Sequence, residues 1–283
     1  EADEMLNMGF IEDIELILTK TPKEKRVLLF SATMPQRIIQ LAEKFMGEFE
    51  VIKVQSKQLT VNLTDQIYFE VRNSDKFEAL CRIIDVEKEF YALVFCRTKL
   101  QTDQLAKALI DRGYDAASLH GDISQAYRER ILSQFKRKLV NILVATDVAA
   151  RGIDIDNLTH VLNYSIPQDP ESYIHRIGRT GRAGKQGTAI TFITPSEYRK
   201  LMNIQRISKS EIRKESLPKV KHLIELKRKR IVDEINDIIA TGKFDENMHV
   251  ANELLAQYPA DQVIASLLTH AYKDEFSPDK YTE

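Results

Sequence analysis

An α/β domain built on a mainly parallel sheet is the fold this chain predicts, preceded by a fragment of another α/β domain and followed by a small all-α appendix. Three observations predict it. From Asp65 to Ile207, short apolar runs alternate with stretches of helical periodicity, the grammar of repeated βαβ units. Before about residue 58 the same grammar gives too few elements to cover both faces of a sheet. Beyond Glu215 only helical stripes remain. The 283 residues, 43% of them hydrophobic, are enough for one large or two to three small domains.

In the segment 1–58, Arg26–Phe30 (RVLLF) reads as a buried strand, Pro35–Met46 as a helix with Pro at its start, and Val51–Val54 as a short closing strand. The chain opens at Glu1 without an initiator Met and is already amphipathic there. Residues 1–58 are therefore expected to be the end of a domain whose front lies upstream.

The domain 59–208 follows. Strands are predicted at Gln66–Val71, Tyr91–Phe95, Ala116–Leu119, Asn141–Ala145, His160–Tyr164 and Gly187–Ile193. Helices are predicted at Ser74–Val86, Lys99–Arg112, Ser124–Lys136, Glu171–Ile177 and Ser196–Ile207. In the stretch 209–283, Pro218 is placed at the first position of a helix whose stripe runs through Val220, Leu223, Ile224, Ile231, Val232, Ile235, Ile238 and Ile239 to a stop at Gly242. Asp245–Tyr258 and Asp261–Tyr272 repeat the pattern. The basic run Lys227–Arg230 has two readings, a solvated helix face or an RNA contact.

Composition narrows the function classes. Forty-one basic and forty-two acidic side chains nearly cancel, so a nucleic-acid face must come from local asymmetry. Cys81 and Cys96 both lie in apolar runs, which fits buried free thiols in a reducing compartment and no metal or disulfide role. No apolar run is long enough for a membrane span and no signal peptide opens the chain. A cytoplasmic protein is expected.

The most informative string is HRIGRTGR at His175–Arg182, with three arginines around two glycines. A guanidinium is always charged and its planar fork fits phosphate oxygens, while Gly178 and Gly181 permit close backbone approach or positive φ. Other unusual loops fall where α/β sheets bind ligands, at the carboxyl ends of strands. They are CRTK after Phe95, HGD after Leu119 and TDVAARGID after Val144.

Taken together, EAD (1–3), SAT (31–33), VFCRTK (94–99), HGD with QAYR (120–128), TDVAARGID (146–154) and HRIGRTGR resemble the DEAD-box RNA helicases of bacterial type, over about residues 1–207. Asp3 and His175 separate the chain from the DEAH-box group. The resemblance implies a RecA-like helicase C-terminal domain, preceded by the remnant of a first RecA-like, ATP-binding domain, with ATP and Mg2+ as cofactors and RNA as partner. Glu1 would orient the attacking water, and the Asp that holds Mg2+ in the family would precede it. Arg179 and Arg182 match arginine fingers. Gly152 and Asp154 match the ribose-binding site. Asp3, Ser31, Thr33, His175 and Arg176 would couple nucleotide state to domain closure. Thr98, Gly121, Gln125, Arg128 and Thr146 would grip the RNA sugar-phosphate backbone without reading bases.

Plainer readings stand beside these. Glu1 also reads as a solvated terminal carboxylate, Ser31 and Thr33 as helix caps, Asp154 as a capping Asp, and Arg128 as a partner for neighbours on its own helix. The appendix 216–283 resembles the dimerisation module of several bacterial members; it also reads as an extension packing on the α/β domain or the start of an RNA-binding region. The 283 residues contain no GxxxxGK[ST] phosphate loop, so negligible ATPase is expected of them alone. The rival function is a non-catalytic RNA- or protein-binding clamp, and a DNA helicase of the same superfamily is a further alternative.

Overall fold

The computed structural model describes residues 2–7, 9–31, 34, 36–53, 64–150, 153, 155, 158–181, 185–242, 244–272 and 281. The chain divides into two compact units, Glu1–Lys57 and Gln58–Glu283.

The first unit contains helices α1 (Ala2–Asn7), α2 (Ile11–Lys20) and α3 (Gln36–Met46). Ile38, Leu41 and Ala42 recur at helical spacing on α3 and form its buried face. The two strands expected here are not found. Residues 26–30 join no ladder, and Leu28 and Phe30 are 67% and 76% exposed. Residues 51–53 have no regular structure, and Val54 lies outside the described residues. The reason is that a strand exists through its neighbours' hydrogen bonds, and the described residues of this unit supply no neighbour strand. Ala2 N–H instead donates to the Phe30 carbonyl (3.1 Å).

The second unit opens with β1 (Thr64–Glu70), α4 (Lys76–Val86), β2 (Ala92–Cys96), α5 (Lys99–Asp111), β3 (Ala116–Leu119), α6 (Gln125–Lys136) and β4 (Ile142–Thr146). It continues with the short α7 (Asp147–Ala150), β5 (His160–Asn163), α8 (Pro170–Ile177), β6 (Gly187–Ile193), α9 (Tyr198–Ser208) and β7 (Arg213–Lys214). The strands form one sheet in the order β3-β4-β2-β5-β6-β1-β7, and every pairing among them is parallel. All residues of β2, β4 and β5 are buried, as a sheet covered on both faces requires. No apolar run announces β7, which has two residues. It is held to β1 by ion pairs, Arg213 to Asp65 and Lys214 to Glu70 (2.9 and 2.7 Å).

Capping side chains set two helix starts one residue from their predicted positions, α6 a residue later at Gln125 and α8 a residue earlier at Pro170. Ser124 precedes α6 and accepts from Tyr127 N (3.3 Å), and Asp169 precedes Pro170 and accepts from Ser172 N (2.7 Å). Each satisfies a backbone donor that the first helical turn leaves orphaned.

The appendix consists of α10 (Val220–Thr241), α11 (Met248–Gln257) and α12 (Ala260–Tyr272). Pro218 lies two residues before the start of α10, and Gly242 ends it in the left-handed region (φ 66°). The first half of α10 packs on α4. There Lys227 Nζ pairs with Asp85 (3.0 Å) and Arg230 donates to the Asp85 carbonyl (2.9 Å) and to the Val86 carbonyl. These two cations of the basic run are thus bound within the protein. Tyr281 seals the same corner, with its hydroxyl on Asp85 and its ring 5.7 Å from Arg112 and 5.6 Å from Lys227. Among the described residues, no helix is long and apolar enough to cross a membrane.

Candidate functional site

The carboxyl ends of β2, β3, β4 and β5 lie side by side in the parallel sheet, so the loops that follow them are brought to one surface. The densest polar network there is centred on Arg176, in the last turn of α8. Its side chain is 4% exposed. Nε and Nη2 donate to the two Asp147 carboxylate oxygens (2.6 and 2.8 Å), and Nη1 donates to Asn163 Oδ1 and to the Ser165 carbonyl (both 2.8 Å). The guanidinium also lies 4.9 Å from the Phe95 ring centroid. A buried guanidinium is tolerated only when its donors and its charge are met, and here Asp147, the first residue of α7, meets the charge. The Asp147 side chain is itself 36% exposed, so removing it costs less than the roughly 3–5 kcal/mol of a pair buried on both sides.

Three residues further on, Arg179 is partly exposed, and its Nη1 donates to the carbonyl of Ile153 (3.0 Å). This joins two of the motifs singled out in the sequence, since Ile153 lies between Gly152 and Asp154. The turn that presents Arg179 is shaped by glycines. A side chain at Gly178 would meet the Ile174 carbonyl at 3.2 Å, and Gly181 has φ 69°. Thr180 anchors the turn from below, its hydroxyl donating to the Leu158 carbonyl (2.6 Å). Gly187, at the start of β6, makes room for that anchor; a Cβ there would sit 1.9 Å from Thr180 Oγ1. His175 is half-buried on α8 beside Arg176.

The residues expected to contact RNA line the neighbouring strand ends. Thr98 caps α5, its hydroxyl accepting from Gln101 N (3.1 Å). Gly121 is exposed after β3, and Lys99 pairs with Asp122 beside it; this hydrogen bond holds the Asp122 carboxyl below its usual range. Gln125 donates to Glu129 along α6 (2.8 Å). Arg128 does not pair along its helix in this way; it reaches across to the Ala149 carbonyl on α7 (2.8 Å). Thr146 ends β4, next to Asp147, and is 9% exposed. Burial pushes the Cys96 thiol up to about 12, which removes it from nucleophilic chemistry near neutral pH.

In the first unit, Asp3 is 2% exposed and its backbone N–H donates to Ser31 Oγ (3.1 Å). Ser31 lies five residues before α3, too far upstream to cap it. Glu1, Thr33, Gly152, Asp154 and Arg182 lie outside the described residues.

Sequence reasoning passes over Asp147, Asn163 and Asp103. Asp147 stands inside the string TDVAARGID and is found by asking which carboxylate neutralises a buried arginine. Asp103 accepts from His120 Nε2 (2.9 Å) and Ser118 Oγ (2.7 Å); with Asp122 N–H donating to His120 Nδ1 (3.3 Å), the bonds select the tautomer protonated on Nε2. Nothing in a single helical aspartate advertises that role. Among the described residues, no three His, Cys, Asp or Glu side chains cluster closely enough to hold a metal ion.

This parallel sheet, with phosphate-type motifs on its strand-end turns, is that of a RecA-like helicase C-terminal domain. The family model for the helicase conserved C-terminal domain matches residues 75–184, and the DEAD/DEAH box helicase model matches residues 1–41. The chain belongs to the DEAD-box helicase family. It is 46% identical over 284 residues to the DEAD-box ATP-dependent RNA helicase CshA of Geobacillus kaustophilus, covering all of this chain and 61% of that protein. The chain thus spans about three fifths of that curated relative's length. The E. coli DEAD-box protein SrmB, solved bound to regulator of ribonuclease activity A, is 33% identical with a TM-score of 0.52; the match covers 56% of this chain and 93% of that one. S. cerevisiae Dbp5 bound to RNA and ADP BeF3 is 30% identical with a TM-score of 0.71, covering 81% of this chain and 61% of that one.

Proposed function

We propose that the protein is a cytoplasmic ATP-dependent RNA helicase that couples ATP hydrolysis to local separation of RNA duplexes or remodelling of RNA–protein assemblies. The observation that carries this reading is the bridge from Arg176 to Asp147. It ties the turn bearing Arg179 to the residue after Thr146, so that a nucleotide-facing arginine and an RNA-facing threonine belong to one rigid network. Coupling of two ligands needs such a shared element.

The chain's own residues divide the work. Arg179 and Arg182 neutralise charge that accumulates on a phosphoryl group during transfer, a role suited to planar, permanently charged donors. The chemistry of this donor set fits a nucleoside triphosphate, and ATP with Mg2+ supplies the phosphoanhydride that is cleaved. Asp154 accepts from ribose hydroxyls, Gly152 allows the close approach, and Glu1 orients water. Asp3, Ser31, Thr33, His175 and Arg176 hold the motifs in register. Thr98, Gly121, Gln125, Arg128 and Thr146 bind the RNA backbone through hydroxyls, amides and one guanidinium, which makes binding sequence-tolerant and salt-sensitive.

The appendix 216–283 serves homodimerisation in this reading. Val232, Ile238 and Ile239 on α10, Leu255 on α11 and Ile264 and Leu267 on α12 are each at least 47% exposed, more apolar side chain than a lone helical hairpin usually leaves in water.

The test is RNA-stimulated ATP hydrolysis by the full-length protein. Arg179→Ala is expected to lower it by about 10^3 to 10^5, or about 4–7 kcal/mol of barrier. Near-normal turnover would overturn the assignment and favour a non-catalytic clamp.

A further inference from the structure

Next to Thr98, the carboxyl end of β2 holds a positive cluster that the RNA contacts proposed above leave unused. Arg97 is exposed, and its backbone N–H donates to Gln101 Oε1 (3.0 Å). The same oxygen accepts from Ser165 Oγ (2.9 Å), which fastens the Arg97 turn to the segment after β5. Within that segment, Gln168 Oε1 accepts from Lys200 Nζ (3.0 Å) and the Tyr164 carbonyl accepts from Lys76 Nζ (3.3 Å). Cations from α4, from the end of β2 and from α9 are therefore gathered at one edge of the strand-end surface.

The nearby carboxylates account for only some of this charge. Glu197 stands 3.8 Å from Lys76, Asp147 is occupied by Arg176, and both Asp169 oxygens are bound to Ser172 at the cap of α8. Among the described residues, Arg97 and Lys200 have no carboxylate within ion-pair distance. Burial depresses the affinity of the Lys200 amine for its proton and the Arg97 charge depresses it further, with Glu197 and Asp169 opposing from beyond ion-pair distance. Two like charges on one edge of the surface where such sheets bind ligands, neither of them in a direct ion pair, form a receptor for an anion.

We infer that Arg97 and Lys200 form an additional phosphate-binding stretch of the RNA path, carrying the backbone of a single strand past Thr98 toward α9. The inference rests on the RNA-binding reading above and extends it to residues outside the family motifs' gripping set. Continuity decides the ligand class, because Arg97 and Thr98 are adjacent in one turn and a strand held by Thr98 places its next phosphates within reach of neighbouring cations. The guanidinium offers a bidentate fork and the ammonium a point charge, so neither selects a base.

The experiment measures binding of a labelled single-stranded oligoribonucleotide to the full chain across a salt series. Each phosphate contact to a single strand contributes about 0.7 to the slope of log K against log salt. R97Q/K200Q is therefore expected to flatten the slope by about 1.4 and to weaken binding about tenfold at about 0.1 M salt. R97K/K200R, which keeps both charges, should retain the slope. If R128Q weakens binding while R97Q/K200Q leaves the slope unchanged, the stretch is overturned and the RNA reading survives. If the unaltered chain fails to bind RNA, both fall. Loss of binding to a polyglutamate probe with RNA binding intact would assign the patch to an acidic protein and also overturn the inference.

Discussion

In the first half of α10, Val220, Leu223 and Ile224 are buried, as is Ile231 at its midpoint, whereas further on Val232, Ile238 and Ile239 are 54%, 47% and 61% exposed. One apolar stripe of uniform spacing runs through both halves. The first half meets α4, with Lys227 and Arg230 bound to the end of that helix and Tyr281 closing the corner. The second half has passed the end of its neighbour. Periodicity therefore states which face of a helix is apolar, and the partner's length decides how much of that face is covered.

Three substitutions sharpen this contrast. The largest effect belongs to Leu223, which is fully buried; Leu223→Ala should lower unfolding free energy by about 2–5 kcal/mol in urea titration. A loss under about 1 kcal/mol would break the claim that the first half of α10 is part of the domain core. Tyr281→Phe keeps the ring between Arg112 and Lys227 and removes only the hydroxyl on Asp85, which Tyr114 also contacts (3.0 Å). A smaller loss of about 1–2 kcal/mol is expected in the same titration. Ile239→Ser should change dilute-solution stability by no more than about 0.5 kcal/mol. In sedimentation at high concentration, however, it should shift a dimer toward monomer, and a chain that is monomeric before the change would remove the dimer proposal.

The sheet is legible in the sequence because its strands are apolar runs set between helical stretches. Ala116–Leu119 and Gly187–Ile193 stand where the sequence places them, and the other predicted strands of the second unit differ by a residue or two at their ends. The run Arg26–Phe30 has the same appearance in sequence and makes no strand. Nothing distinguishes it locally, since the missing ingredient is a neighbouring strand. Likewise β7 exists through Arg213 and Lys214 pairing with β1, across the 148-residue separation of Arg213 and Asp65, a loop whose closure costs only modest extra entropy for its length.

For the site, motif strings locate the turns, and distances assign their internal bonds. In His175–Arg182 the family resemblance already sets Arg176 apart from the expected fingers Arg179 and Arg182; the structure adds that Arg176 is almost fully buried against Asp147 while Arg179 is partly exposed and tied to Ile153. Gly187 reads in sequence as no more than the first residue of a strand, although a Cβ there would overlap the Thr180 hydroxyl beneath the arginine turn. Arg97, likewise, is one letter of CRTK until its turn is fastened through Gln101 to the segment after β5, which Lys200 also contacts.

The sequence by itself determined the α/β class, the order of elements from Asp65 onward, the glycines and arginines of the strand-end turns, and through them the helicase family. These are local properties: periodicity, backbone freedom and side-chain chemistry act over a few residues. Only the tertiary structure decided which carboxylate meets the buried Arg176, which stretch of an apolar stripe is core, and which cations gather at one edge of the strand-end surface. Burial and ion pairing depend on what residues far apart in the chain bring to the same place, and that is set by packing.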